Sequence, residues 1–224
     1  VRIVLARHGE SVANVERVIS NRNLPYGLTT LGRWQATQLA DRLSAEGIGA
    51  LYCSPIPRAR ETAAVVGERL GLIPVVADGL REPDRGVLEG RGDAEAWRLH
   101  DELTRRWVVD LDHAARLDGG ESLVDVRQRF EAFLASLVHR HAGGDASMLC
   151  VTHGALMLTV LPLVLAGVPA TATGQGSISH ATPVVAVHGD GGWRCTTWCD
   201  EEPTAAPGAQ QRSGSRRAGQ VDEP

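Results

Sequence analysis

Two histidine–glycine pairs, His8-Gly9 and His153-Gly154, stand far apart in this 224-residue chain, and each follows an apolar run. Val1–Ala6 leads into the first and Met148–Thr152 into the second. Such runs read as strands covered on both faces, and open α/β sheets gather ligands at the carboxyl ends of their strands. Arg7 precedes the first histidine, and its planar fork matches two oxygens of an oxyanion. Gly9 is read as letting the backbone approach a ligand closely. An imidazole attacks when neutral, with one nitrogen held so that the other faces its target. A third segment, Ser54–Ala63, begins at another strand end and puts Arg58 in the first turn of a helix, where free N–H groups and the dipole draw anions. Taken singly, each of these is an ordinary solvated charge. Together, three strand ends delivering two imidazoles and two guanidiniums predict one site that holds an oxyanion and attacks it with a histidine. A two-histidine metal site is the competing reading, and the neighbouring arginines count against it because they repel a divalent cation. No metal and no cofactor are expected.

The elements that must position these groups follow from periodicity. Val1–Ala6 reads as a strand, followed by a loop holding Asn14, Ser20, Asn21 and Asn23. Thr29 reads as the N-cap of a helix whose inner face is Ala36, Leu39, Ala40 and Leu43. A strand over Ala50–Cys53, a helix over Pro57–Leu70 and a third strand over Ile73–Ala77 come next. Leu80–Gly120 is less regular and holds a polar helical piece with Trp97, Leu103 and Trp107. Glu121–Ala142 reads as the clearest helix, with Glu121 either capping it, the preferred reading, or standing near the substrate. The Met148 strand, a helix after Gly154, and strands over Pro183–His188 and Trp193–Trp198 around a glycine-rich hairpin turn complete the order. This alternation predicts an α/β fold, a three-layer α/β/α sandwich with a mostly parallel central sheet. Residues 1–200 form the expected domain, with 89–117 as a cap over the site. Residues 201–224 hold one aliphatic side chain larger than alanine, Val221, and read as a disordered tail.

Composition narrows the partners. The chain is 43% hydrophobic with a net charge of −4, which suits a real core and gives no basic surface for nucleic acid or an anionic membrane. The longest apolar stretch, Ala155–Gly167, is too short to span a bilayer and carries Pro162. The first residues already read as a core strand rather than a leader, so the expected location is cytoplasmic. Cys53 and Cys150 read as small core residues, and Cys195 and Cys199 lack the spacing and further ligands of a zinc site.

Several segments in order extend the pattern. Arg7-His8-Gly9-Glu10-Ser11 with Asn14 resembles the signature of the histidine phosphatase superfamily, the group that includes cofactor-dependent phosphoglycerate mutases. Gly27-Leu28-Thr29 with Gly32 and Gln35-Ala36, Ser54–Ala63, Leu80-Arg81-Glu82, Gly120-Glu121-Ser122 and Val151-Thr152-His153-Gly154 are similar to the family's later segments. The resemblance runs over roughly Val1 to Asp200 and implies a phosphoglycerate mutase-like fold. It implies His8 as the nucleophile that becomes phosphorylated. Arg7, Arg58 and His153, with Gly154, are implied as the phosphate clamp and Glu82 as the proton donor. Asn14 and Ser20 align with phosphate- or substrate-contacting positions. The implied activity is metal-independent hydrolysis of a small phosphorylated metabolite, with a protonated His153 sharing the phosphate charge. The alternatives are a phosphoglycerate mutase-like phosphotransferase and a non-catalytic phospho-ligand-binding module; a homodimer is compatible with the sequence.

The chain departs from the family pattern in three places. Pro83-Asp84-Arg85-Gly86 stands where mutases carry Arg-His-Tyr-Gly, and the segment between the acid and Gly120 is short; both favour hydrolysis. Ala155-Leu156-Met157 replaces the Gly-then-Arg of many relatives. Gly176-Ser177-Ile178-Ser179 lacks the asparagine that often precedes the serine, and His180 is read as a loop residue. In the cap, Trp97, His100, Leu103 and Trp107 either line the pocket or pack it, packing being the reading for the tryptophans. Arg98, Arg105 and Arg106 form a solvated face or attract a second acidic group.

Overall fold

The computed structural model describes residues 1–144, 146–169 and 178–199. Six strands form one sheet: β1 (Arg2–Arg7), β2 (Ile48–Cys53), β3 (Val75–Val76), β4 (Ser147–Thr152), β5 (Pro183–Gly189) and β6 (Gly192–Trp198). Their spatial order is β3-β2-β4-β1-β5-β6. The first four are mutually parallel, and β5 and β6 form an antiparallel hairpin at the β1 side. Every residue of β4 is buried, and so are four of the six in β1, which is why both read as continuous apolar runs. β5 and β6 are joined through Gly189 opposite Gly192, which leaves Asp190-Gly191 as a two-residue loop.

Among the described residues six α-helices accompany the sheet: α1 (Val12–Glu16), α2 (Thr30–Leu43), α3 (Pro57–Leu70), α4 (Ala94–Val108), α5 (Leu123–Arg140) and α6 (Gly154–Val164). Two separate apolar clusters flank the sheet. Ala36, Leu39 and Leu43 of α2 and Ala59, Ala63 and Val66 of α3 pack with Val4, Leu51 and Leu149. On the opposite face, Phe130 and Leu134 of α5 and Leu156 and Val160 of α6 pack with Ile3, Leu5 and Met148. The alternation of inward directions along β1 and β4 gives each cluster its share, and a three-layer sandwich with a mostly parallel sheet results.

Local chemistry sets the helix ends. Thr29 Oγ1 accepts the Gly32 N–H at 3.0 Å. Pro57 occupies the first turn of α3, and Gly71 closes that helix in the left-handed conformation at φ 68°. Two expectations need correction. The N-cap of α5 is Ser122, in a reciprocal capping box with Asp125, and Glu121 lies outside the helix. The third strand shrinks to Val75–Val76, because this edge has one neighbour and Ile73 stands 89% exposed. Among the described residues no helix is long and apolar enough to cross a membrane. The proposed tail, 201–224, and residues 176–177 lie outside the described residues.

Candidate active site

β1, β2 and β4 all point their carboxyl ends at one cavity of about 390 Å³. Arg7, His8, Asn14, Ser20, Arg58, Glu82 and Gly154 all line it, and His153 stands behind them, fully buried. The rings of His8 and His153 meet edge to face, with centroids 5.1 Å apart.

His8 is held from both sides. Its Nδ1 lies 2.7 Å from the Gly9 carbonyl oxygen, and its Nε2 lies 2.9 Å from Arg58 Nε. A carbonyl only accepts and a guanidinium only donates. The proton is therefore on Nδ1, and the lone pair of Nε2 faces Arg58. Burial holds the imidazole well below its ordinary pKa, with Arg58, His153, Arg7 and His180 reinforcing that fall, so the ring is neutral. Gly9 does not serve the ligand as the sequence suggested. A side chain there would collide with the Gly32 carbonyl at the start of α2, and the Gly9 N–H donates to Thr62 Oγ1. Its smallness seats α2 against the end of β1.

The two guanidiniums are fixed by main-chain carbonyls rather than by carboxylates. Arg58 Nη1 donates to the Ser20 carbonyl at 2.6 Å, and Arg7 Nη1 donates to the Ile178 carbonyl. Burial lowers Arg58 to about 10, with Glu82 opposing, so it stays charged at neutral pH. Arg7 Nε and Ser20 Oγ are buried without a partner. A Cβ at position 154 would lie 3.2 Å from Arg7 Nε; Gly154 thus leaves room for that guanidinium. Unmet donors at the floor of a cavity are costly in a folded protein unless a ligand completes them.

His153 Nε2 lies 2.8 Å from Ser54 Oγ. That hydroxyl accepts the Ile56 N–H and has no other acceptor among the described contacts, so its own proton goes to Nε2. His153 Nδ1 then carries the ring proton; it is buried, unpartnered, and 3.8 Å from Glu82 Oε2, beyond hydrogen-bond reach. Burial, then Arg58, Arg129, Arg7 and Arg81, hold His153 well below the ordinary imidazole range. The protonated His153 expected from sequence is therefore disfavoured, and a neutral ring with Nδ1–H still offers one donor.

The side chain of Glu82 is 12% exposed, and its carboxylate accepts the Leu156 N–H at 3.0 Å, in the first turn of α6. Burial raises its pKa, while Arg58, that N–H, Arg7 and Arg85 pull the other way. Its segment is held from behind: Arg129 pairs with Glu121 at 2.8 Å and donates to the carbonyls of Gly79 and Glu82, and Glu121 accepts the Asp84 N–H. Glu121, read as a helix cap, is instead a strut for the acid.

The outer wall comes from α4. Trp97, His100, Asp101 and Thr104 line the cavity, at the spacing of one helical face. Leu103 and Trp107, on the adjoining face, belong to the core. Trp97 lines the pocket and also packs against Ile19, Leu88 and Ala96, as the packing reading had it, and donates from Nε1 to the Arg17 carbonyl. Arg98, Arg105 and Arg106 pair with Glu95, Glu102 and Asp112 on the surface, the solvated alternative. His180 stands in a loop, as the sequence reading had it, but beside the site. Its ring centroid is 5.7 Å from that of His8, and its Nε2 is 3.2 Å from Asn14 Oδ1. The loop ahead of β5 carries it there, a placement with no local signal in the sequence. Asn14 Oδ1 also accepts from the Ser11 N–H and hydroxyl.

Comparison with known proteins agrees with this geometry. A family model described as the histidine phosphatase superfamily (branch 1) matches residues 3–201. A probable phosphoglycerate mutase of Yersinia pestis is 30% identical over 201 residues, 90% of this chain and 91% of that one. Among solved structures, a mycobacterial glucosyl-3-phosphoglycerate phosphatase bound to VO3 superposes with a TM-score of 0.73 at 29% identity, covering 88% of this chain and 98% of that one. A putative alpha-ribazole-5'-P phosphatase from Escherichia coli gives 0.70 at 26% identity, covering 92% and 98%. The chain belongs to the histidine phosphatase superfamily.

Proposed function

We propose that the protein is a phosphomonoesterase that hydrolyses a small phosphorylated metabolite through a phosphohistidine on His8, without a metal. The observation that carries this reading is the hydrogen-bond frame of His8: Nδ1–H is tied to the Gly9 carbonyl and the Nε2 lone pair faces the cavity's guanidinium. A phosphate group drawn to Arg7 Nε, Arg58, Ser20 Oγ and His153 Nδ1 takes over the Arg58 N–H and leaves the lone pair of Nε2 facing phosphorus. Nε2 attacks, the P–O bond to the leaving group breaks, and Glu82 gives its proton to the departing alkoxide. Water then attacks the phosphohistidine, Glu82 takes the proton back, and inorganic phosphate leaves a neutral His8. The guanidiniums stabilise the charge on the transferring group, the role a divalent ion has elsewhere. The raised pKa of Glu82 favours the acid form that this sequence needs.

Hydrolysis is favoured over isomerisation because similar solved structures are named as phosphatases, although curated relatives carry the name of a mutase. The test is a screen of sugar phosphates, phosphoglycerates, nucleotides and cofactor precursors with EDTA present. Phosphate release, with an acid-labile and base-stable phosphoryl label that His8→Ala lacks, is the expected result. Isomerisation of 3-phosphoglycerate dependent on a diphosphorylated primer, with no phosphate released, would transfer the protein to the mutase reading.

A further inference from the structure

The cavity wall holds a third guanidinium, beyond Arg7 and Arg58, that the chemistry at His8 leaves unused. Arg85 is 1% exposed and lies on the cavity wall with His100, Asp101 and Thr104. Its guanidinium carbon sits 4.3 Å over the Trp107 ring, and Nη2 donates to Thr104 Oγ1 at 3.0 Å. The Thr104 hydroxyl in turn donates to the His100 carbonyl. Stacking and that hydrogen bond fix the plane of the group. Among the described residues no carboxylate pairs with it, and Nη1 is buried without any partner. A buried charge with an unmet donor is expensive unless something completes it. Burial lowers Arg85 to about 10 while Glu82 and Asp101 raise it, so it remains cationic at neutral pH.

We propose that Arg85 binds a carboxylate on the leaving group of the phosphomonoester; this rests on the phosphatase reading of the His8 site. One guanidinium balances one negative charge, and a second phosphoryl dianion would face the carboxylates of Glu82 and Asp101 with nothing left to neutralise it. Val18, Ala155 and Leu158 line the same cavity and suit a short carbon skeleton between the two charged ends. His100 supplies a complementary acceptor. It is lowered to about 4, chiefly by burial, and its Nδ1 lies 3.0 Å from Asp101 Oδ1; the proton therefore sits on Nδ1, and Nε2 can accept from a substrate hydroxyl. Binding also reaches the chemistry. Arg85 is one of the charges that lower Glu82, and a carboxylate seated on it cancels that pull. The matching leaving group thereby helps Glu82 keep the proton it must deliver.

The test compares ω-carboxyalkyl phosphates with ω-hydroxyalkyl phosphates of equal chain length, with p-nitrophenyl phosphate as a common reference, in the wild type, Arg85→Lys and Arg85→Met. At the best length the wild type should favour the acid by roughly tenfold or more in kcat/KM, the size of one charge-assisted hydrogen bond. Arg85→Met should bring the acid-to-alcohol ratio close to one, and Arg85→Lys should keep part of it. No acid preference at any length in the wild type would overturn the assignment, as would an Arg85→Met variant that loses acid and alcohol alike. The wild-type comparison and Arg85→Lys decide the matter if the methionine variant does not fold. If no ester, p-nitrophenyl phosphate included, releases phosphate, the hydrolase reading falls and this assignment with it.

Discussion

The Arg58–His8 contact at 2.9 Å joins the proposed nucleophile to the proposed anion clamp. His8→Ala should lower kcat by about 10³-fold or more and abolish phosphoryl labelling, the scale seen when an essential nucleophile is removed; a variant that still releases phosphate would exclude His8 as the attacking group. Glu82→Gln should slow alkyl phosphates about 10²-fold and p-nitrophenyl phosphate far less, because a good leaving group needs little protonation. Equal losses on both would assign the proton to another group. His180→Ala should raise KM a few-fold, since its ring borders His8 and ties to Asn14; an unchanged KM would leave it a loop residue, as the sequence suggested. Arg7, His8, Arg58 and His153 were legible because each ends or follows a strand or opens a helix, and local pattern alone places it. His180 and the burial of Arg85 were not. The first is delivered by a loop and the second by the packing of α4, and no residue spacing encodes either.

The acid is an element-scale problem. Glu82 sits on an irregular segment, and α5 supplies what a strand would have given it. Arg129 holds Glu121 and the carbonyls of Gly79 and Glu82, and Thr152 Oγ1 at the end of β4 donates to the Leu80 carbonyl. Arg129→Met should therefore lower kcat by roughly tenfold with a smaller change in KM, since misplacing a catalytic group costs the transition state more than the bound substrate. Glu121→Gln should do the same in weaker form. A rise in KM with kcat preserved would move the strut's role to substrate binding. The helix periods of α2 and α5 could be read from their apolar stripes. The shortness of β3 and the N-cap at Ser122 could not, because one depends on an edge having a single neighbour and the other on which of two adjacent polar residues the chain turns through.

At the scale of the whole molecule, four imidazoles share one fate. Burial is the main cause that lowers His8, His153, His100 and His180, the last two to about 4 and about 3. Each rejects a proton when folded and takes one when unfolded, so acid favours the unfolded chain. Stability should be fully present above the ordinary imidazole value of 6.5 and decline as pH falls through the window below it. The thermal midpoint should drop on going from pH 7 to pH 4, and His100→Gln should reduce the slope; a flat profile would contradict neutral, buried rings. The sandwich itself was legible from the alternation of strands and helices, whereas the strand order was not, because crossovers leave no mark on periodicity. That order has one more consequence. β1 is paired on one side with β4 and on the other with β5, so its two partners are synthesised long after it. A nascent chain therefore carries His8 well before the strands that flank it, and the chamber around that ring cannot close until the last third of the domain has emerged.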